Sequence, residues 1–475
     1  MENLSKFYID GVWSQPNSGA TMPVLNPATE RQVGVVALGN AADVDAAVAA
    51  ASRAFASYSQ TTKAERLVFL GRLLKVTEAR FEDLAQAMSM EMGAPISMAR
   101  DAHADAAVGH LQGFIEALGQ LQERESLTSG DIQLREPIGV CGLITPWNWP
   151  MNQIALKVIP ALATGCTCVL KPSEHTPISA MIYAEIIHEA GFPAGVFNLV
   201  QGDGPTVGAV MSRHCDIQMM SFTGSTRAGT AVTRDAADTV KRVTLELGGK
   251  SPNLVFADCD LQDRVTASVG ECMYNTGQSC DAPTRLLVER SCYDVAVEIA
   301  KRAADATQVG DPTQEGDHIG PLFDRIQFDR VQAMIAVGID EGATVLAGGL
   351  GKPEGITDGW FVKPTVFMDV SNSMRIAREE IFGPVLVIIP FDTEEEAIEI
   401  ANDTPYGLAA YLQTGDPVRA ERVAACLRAG AVHINGGGFN YGSPFGGYKQ
   451  SGNGREGGMM GLEDYLETKT LHGLG

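Results

Sequence analysis

A chain of 475 residues, 45% of them hydrophobic, can bury large cores and is too long for one ordinary domain. With 36 basic and 58 acidic side chains its formal charge is −22, which repels nucleic-acid phosphates and anionic bilayers, so no nucleic-acid and no membrane partner is expected. Nine cysteines without CxxC spacing argue against a disulfide framework, and eight histidines without a His-x-x-x-His pair offer no metal site.

The start, Met1-Glu2-Asn3-Leu4-Ser5-Lys6, lacks the apolar core of a signal peptide, and no run of membrane-spanning length occurs, so a cytoplasmic location is expected. Asn40 reads as an N-cap with Asp43 at the third helical position, opening a helix to about Tyr58. Helices are expected over 63–90. From residue 138 short apolar runs at 138–145, 166–170, 196–201, 217–222 and 241–247 alternate with helix-length amphipathic segments, the pattern of a doubly wound parallel sheet. A second series at 253–257, 284–288, 362–366, 384–391 and 430–435 predicts a second α/β domain, with the boundary near Gly248-Gly249. Two pieces fit neither sheet, 122–137 and the tail 465–472. Both read as an arm whose unpaired strands seek a partner edge, commonly in another subunit, with a flexible linker as the alternative.

Chemistry-bearing residues cluster at strand ends. Cys280, in Gly277-Gln278-Ser279-Cys280, falls on a turn between a helix and a strand, where a thiol can meet a small ligand. Cys141, Cys166 and Cys168 lie in strand-like runs and read as small buried hydrophobes. Glu246 ends an apolar strand before Gly248-Gly249-Lys250, at the side of an open sheet that faces a ligand crevice. Burial there raises a carboxyl pKa and makes a better base. In Pro146-Trp147-Asn148-Trp149-Pro150 the prolines fix the turn, and Asn148 supplies an amide donor suited to a developing oxyanion. His103 and His110 read as surface or core residues.

No Gly-x-Gly-x-x-Gly fingerprint occurs. Gly202, Gly204 and Gly208 follow one strand, and Phe222-Thr223-Gly224-Ser225 the next. Both groups open helices whose N-termini suit a pyrophosphate. Lys171 can anchor a ribose or phosphate, and Glu174 can accept from the adenosine ribose hydroxyls, which favours NAD over NADP.

Together with Asn26-Pro27-Ala28-Thr29, Glu379-Glu380-Ile381-Phe382-Gly383-Pro384-Val385, Asn402-Asp403-Thr404-Pro405-Tyr406-Gly407-Leu408 and Ser443-Pro444-Phe445-Gly446-Gly447-Tyr448-Lys449, these motifs stand in the order found in the aldehyde dehydrogenase superfamily. The chain resembles that superfamily almost from end to end. The resemblance implies an α/β fold with a Rossmann-type NAD-binding domain (1–121 and 138–248), a catalytic α/β domain (249–440) and a small β oligomerisation arm (122–137 and 455–475) serving a homodimer or homotetramer. It implies a small-molecule aldehyde as substrate and NAD as cofactor. Cys280 is then the nucleophile, Glu246 the base that activates water, and Asn148 the oxyanion donor, with Lys157 near Glu246 in a proton relay. The implied cofactor surface comprises Thr145, Pro146, Trp147, Lys171, Glu174, Gly204, Gly208, Phe222, Ser225, Leu247, Glu380 and Phe382. Trp149, Gln153, Leu156, Phe439 and Tyr441 match channel-lining positions, with Ser279 and Asp281 flanking the nucleophile. That lining suits a medium-sized aromatic or aliphatic aldehyde; Asp281 and the lack of a matching arginine disfavour an acidic one. Glu246 also disfavours the coenzyme A-dependent type of relative, and the set Cys280, Glu246 and Asn148 disfavours a purely structural protein. Many relatives carry a second glutamate at the position that reads Met459, so any proton relay is expected to rest on Glu246 alone or on a different group.

Overall fold

The computed structural model describes residues 3–474, so Met1 and Glu2 of the leader reading lie outside the described residues. Two α/β sheets organise the chain. The parallel centre of the first, eight-stranded sheet runs in the order Arg242–Glu246, Met219–Thr223, Val140–Ile144, Thr167–Lys171 and Phe197–Leu199. Antiparallel strand Gly452–Asn453 adds to one edge, and the hairpin of Phe7–Ile9 and Val12–Ser14 to the other. Val140–Ile144 and Thr167–Lys171 are buried at every position, which is why they read as unbroken apolar runs rather than alternating ones.

The second sheet has seven strands in the order Thr344–Ala347, Thr365–Met368, Val385–Phe391, Arg285–Glu289, Pro252–Val255, Ala409–Gln413 and Ala431–Ile434, parallel except for the first pair. Strands Thr344–Ala347 and Ala409–Gln413 have no counterpart in the sequence reading. Runs of 4 and 5 residues carry too little periodicity to be separated from helix.

The helix Ala41–Tyr58 starts with the Asn40/Asp43 capping box. The segment expected to be helical over 63–90 is two helices, Lys63–Ala79 and Phe81–Met92, jointed at Arg80 and closed by Gly93 in the left-handed conformation.

The two unplaced pieces meet each other. Ile132–Pro137 is the middle strand of a three-stranded sheet, antiparallel to Arg124–Ser126 on one side and to Leu466–Leu471 on the other. Among the described residues no helix is long and apolar enough to cross a membrane.

Candidate active site

The approach to Cys280 is strained. After the helix Leu261–Met273, Asn275, Thr276 and Gly277 all take positive φ, at 50°, 57° and 69°. Non-glycine residues held there cost roughly 1–3 kcal/mol each, so surrounding bonds must over-determine them. Asn275 Nδ2 donates to the Asn148 carbonyl at 2.9 Å, and Thr276 Oγ1 donates to the Gly320 carbonyl at 3.1 Å. The turn delivers a partly exposed Cys280 to a cleft of about 670 Å³, open to solvent, whose wall also includes Asn148, Glu246, Glu380 and Phe382. Burial holds the Cys280 thiol well above its ordinary pKa, and the charges of Asp281, Glu380 and Glu246 add to this.

Glu246 enters the same cleft from the end of Arg242–Glu246. The glycines after it are required by close approach. A Cβ on Gly248 would strike the Glu380 carboxylate, and one on Gly249 would lie 2.5 Å from the Cys280 carbonyl oxygen. Neither carboxylate oxygen of Glu246 has a hydrogen-bond partner. Burial first, then the charge of Glu456, lift its carboxyl well above the usual range, against the pull of Lys157 and Arg455.

Lys157 sits behind Glu246 rather than in the cleft wall. Its ammonium is fully buried, donates to Ser221 Oγ at 3.2 Å and pairs with the Glu456 carboxylate. Position 459 carries no carboxyl, and a different acidic group stands beside Lys157. Met459 packs against the apolar core of the first sheet, whereas Glu456, three residues earlier and still within Gly454-Arg455-Glu456, supplies the second buried carboxyl. Burial raises its pKa, and Lys157 opposes the rise. A lysine buried inside an apolar helix demands an acidic partner, and Glu456 is the one that folding delivers.

Asn148 Nδ2 donates to the Gln278 carbonyl at 3.0 Å, which ties the rigid turn to the cysteine loop and leaves its second N–H. Among the expected cofactor residues Pro146, Trp147, Ser225, Leu247, Glu380 and Phe382 line the cleft, together with Gln327 and Arg330, which the sequence reading missed. These two brace the Phe382 loop. Gln327 Nε2 donates to the Ile381 and Phe382 carbonyls at 3.0 and 2.7 Å, and Arg330 donates to the Glu380 carbonyl at 2.7 Å. Burial lifts the Glu380 carboxyl to about 7.

Thr145, Lys171, Glu174, Gly204, Gly208 and Phe222 lie outside the cleft wall. Lys171 Nζ donates to the Gly202 carbonyl at 2.7 Å and to Glu174 at 3.1 Å, joining two strand ends, and a Cβ on Gly204 would meet nothing within 4 Å. Thr145 and Thr223 each keep a buried hydroxyl without a partner. Of the expected substrate residues only Gln153 lines this cleft. Trp149 donates to Ser279 Oγ at 2.9 Å, Leu156 is buried, and Asp281 adjoins Cys280 with its own pKa raised by burial. Phe439 and Tyr441 are grouped around His110.

A thiol, a partnerless buried carboxyl and an amide donor therefore share one cleft, an arrangement able to form and then hydrolyse a covalent intermediate. Comparison with known proteins shows which proteins the chain is similar to. A 3-succinoylsemialdehyde-pyridine dehydrogenase of a Pseudomonas species is 50% identical over 474 residues, covering 100% of this chain and 99% of that protein. The crystal structure of a mutant aldehyde dehydrogenase C from Pseudomonas syringae, complexed with NAD+ and octanal, superposes with a TM-score of 0.98 at 51% identity, covering 100% and 98% of the two chains. An aldehyde dehydrogenase from Bartonella henselae gives 0.97 at 51% identity, covering 98% of each. The sequence profile of the aldehyde dehydrogenase family matches residues 13–471, and the chain belongs to that family.

Proposed function

We propose that the protein oxidises an aldehyde to a carboxylic acid with NAD, using Cys280 as nucleophile and Glu246 as general base. The observation that carries the reading is the pairing in one cleft of a partly exposed thiol with a buried carboxyl that has no hydrogen-bond partner. A buried, unpaired acid is costly to maintain unless it acts on a ligand.

The thiolate of Cys280 adds to the aldehyde carbon, forming a C–S bond and pushing the carbonyl electrons onto oxygen. The free N–H of Asn148 and the backbone amide of Cys280 stabilise that oxyanion, an effect worth about 3 kcal/mol per donor in comparable sites. Bound NAD supplies the hydride acceptor. Loss of hydride from the former aldehyde carbon leaves a thioester on Cys280. Glu246 takes a proton from water as the water attacks the thioester, and the C–S bond breaks to release the acid and restore the thiolate. Lys157 and Glu456, buried behind Glu246, carry the proton onward.

Supporting the cofactor are the free hydroxyls of Thr145 and Thr223, the open space over Gly204, and the start of the helix Thr226–Ala236 capped by Ser225. Lys171 and Glu174 would hold the adenosine ribose, with Gly204, Gly208 and Phe222 beside it; Glu380 and Phe382 would hold the nicotinamide ribose and ring. In this reading residues 1–121 and 138–248 form the NAD-binding domain, 249–440 the catalytic domain, and 122–137 with 455–475 an arm that joins a cytoplasmic homodimer or homotetramer. The substrate is a medium-sized aromatic or aliphatic aldehyde. The relatives, one named for a pyridine semialdehyde and one complexed with octanal, support that range. NADH formation from phenylacetaldehyde, hexanal and succinic semialdehyde, with and without coenzyme A, tests this. The reading expects turnover that does not need coenzyme A and a lower kcat/KM for the acidic aldehyde; dependence on coenzyme A would refute the hydrolytic step.

A further inference from the structure

The helical segment that packs over the site carries two buried histidines that the mechanism leaves unused. His103 lies in a π-helical turn, Ala99–Ala104, that runs directly into the helix Asp105–Gln120, and His110 lies on that helix. Single π-helical turns rotate a side chain out of its regular register and recur at functional sites.

Each histidine backs aromatic rings, and those of His103 adjoin the cysteine loop. The His103 ring stacks on Trp149 with centroids 4.1 Å apart and planes 18° from parallel. Trp149 in turn faces Tyr274 at 6.0 Å and donates to Ser279 Oγ, the residue before Cys280. Neither ring nitrogen of His103 makes a hydrogen bond, although the Asn275 side chain lies beside it, and burial drives its pKa down to about 3. The ring is thus a neutral flat plate at any working pH.

His110 plays the same part for a second group. Its Nε2 and Asn152 Oδ1 are 2.7 Å apart, and its ring meets Tyr441 and Phe439 edge-on at 4.9 and 5.8 Å. Tyr441 lies flat across Gly109, where a Cβ would collide with its ring, and its hydroxyl donates to Asp105 Oδ2 at 2.9 Å. The two groups lie side by side, because His103 and His110, two turns apart on one helical segment, hold Trp149 and Asn152, one turn apart at the start of the helix Pro150–Thr164. Tyr274, Phe439 and Tyr441 are 47%, 44% and 39% exposed, so three large aromatics stand open to solvent. Such a concentration marks a binding surface.

We propose that His103 and His110 are specificity-determining residues that hold two aromatic walls at the mouth leading to Cys280, and that these walls select aldehydes carrying an aromatic ring. Asn152, which holds His110, is next to Gln153 in the cleft wall, and Trp149, which His103 holds, is next to Asn148; one short segment therefore links both walls to the reacting centre. This deepens the proposed aldehyde oxidation and rests on it.

The test compares kcat/KM for phenylacetaldehyde and propanal in the wild type and in His103→Ala, His103→Phe, His110→Ala and Phe439→Ala. The wild type prefers phenylacetaldehyde. Each alanine variant lowers the phenylacetaldehyde-to-propanal ratio about tenfold, chiefly through KM, as loss of ring stacking of about 1.4 kcal/mol requires. His103→Phe restores the ratio to within about twofold of the wild type, since a flat ring suffices for the stack. Phe439 is exposed, so its variant reads the same wall without a folding cost. Ratios unchanged in all three alanine variants, or a wild type that prefers propanal, would overturn the assignment. A wild type that oxidises neither aldehyde would overturn the underlying reading as well.

Discussion

Cys280 and Glu246 line one cleft from different sheets, the thiol on the loop before Arg285–Glu289 and the carboxyl at the end of Arg242–Glu246, and each charge disfavours the other. With Asp281 and Glu380 also close, burial and three carboxylates hold the thiol above its ordinary pKa. A raised thiol pKa means that the thiolate fraction, small at neutral pH, grows with every step toward that pKa. Alkylation of Cys280 by iodoacetamide, followed by peptide mass mapping, should accelerate continuously from roughly pH 6.5 to 8.5 without a plateau. Mapping is needed because Cys215 and Cys426 are exposed. A rate that levels off below pH 7 would mean a depressed thiol pKa and would contradict this arrangement.

The buried pair of Lys157 and Glu456 behaves as a unit. Replacing one partner strands the other charge in a low-dielectric interior, at a cost of about 3–5 kcal/mol. Lys157→Met and Glu456→Gln should each lower the thermal midpoint markedly, and the double variant should lose less than the sum of the two. Additive losses in differential scanning calorimetry would show that the pair is not coupled.

Glu174 is partly buried and held by Lys171. Its carboxylate accepts from ribose hydroxyls and repels a 2′-phosphate in the proposed cofactor pose. Glu174→Gln should therefore raise the NADP-to-NAD ratio of kcat/KM by about tenfold, the equivalent of 1.4 kcal/mol. An unchanged ratio would place the adenosine ribose elsewhere.

The parallel strands were legible because burial on both faces writes itself as unbroken apolar runs, and Cys280, Glu246 and Asn148 were legible because each stands at a strand or turn end beside prolines or glycines. What escaped depends on partners distant in sequence. Glu456 is recognisable only once Lys157, 299 positions away, is seen to need a countercharge. Gln327 and Arg330 lie on an unremarkable amphipathic helix and enter the cleft because the Phe382 loop folds over them. His103 and His110 carry no local signal, since their meaning comes from rings on the segments 147–153 and 436–442. The arm strands were readable as strands, yet their pairing with each other joins residues at opposite ends of the chain.

The most direct measurement of the central claim is intact-protein mass spectrometry of Glu246→Gln after mixing with NAD and phenylacetaldehyde. Without the base, deacylation should slow by about 10²–10⁴-fold, so the thioester should accumulate. The mass should rise by that of the aldehyde less two hydrogens, with the adduct mapping to Cys280 and one equivalent of NADH formed per site. The same treatment of Cys280→Ala should give neither adduct nor NADH. Steady turnover of Glu246→Gln at the wild-type rate with no adduct, or an adduct on any other residue, would contradict the account.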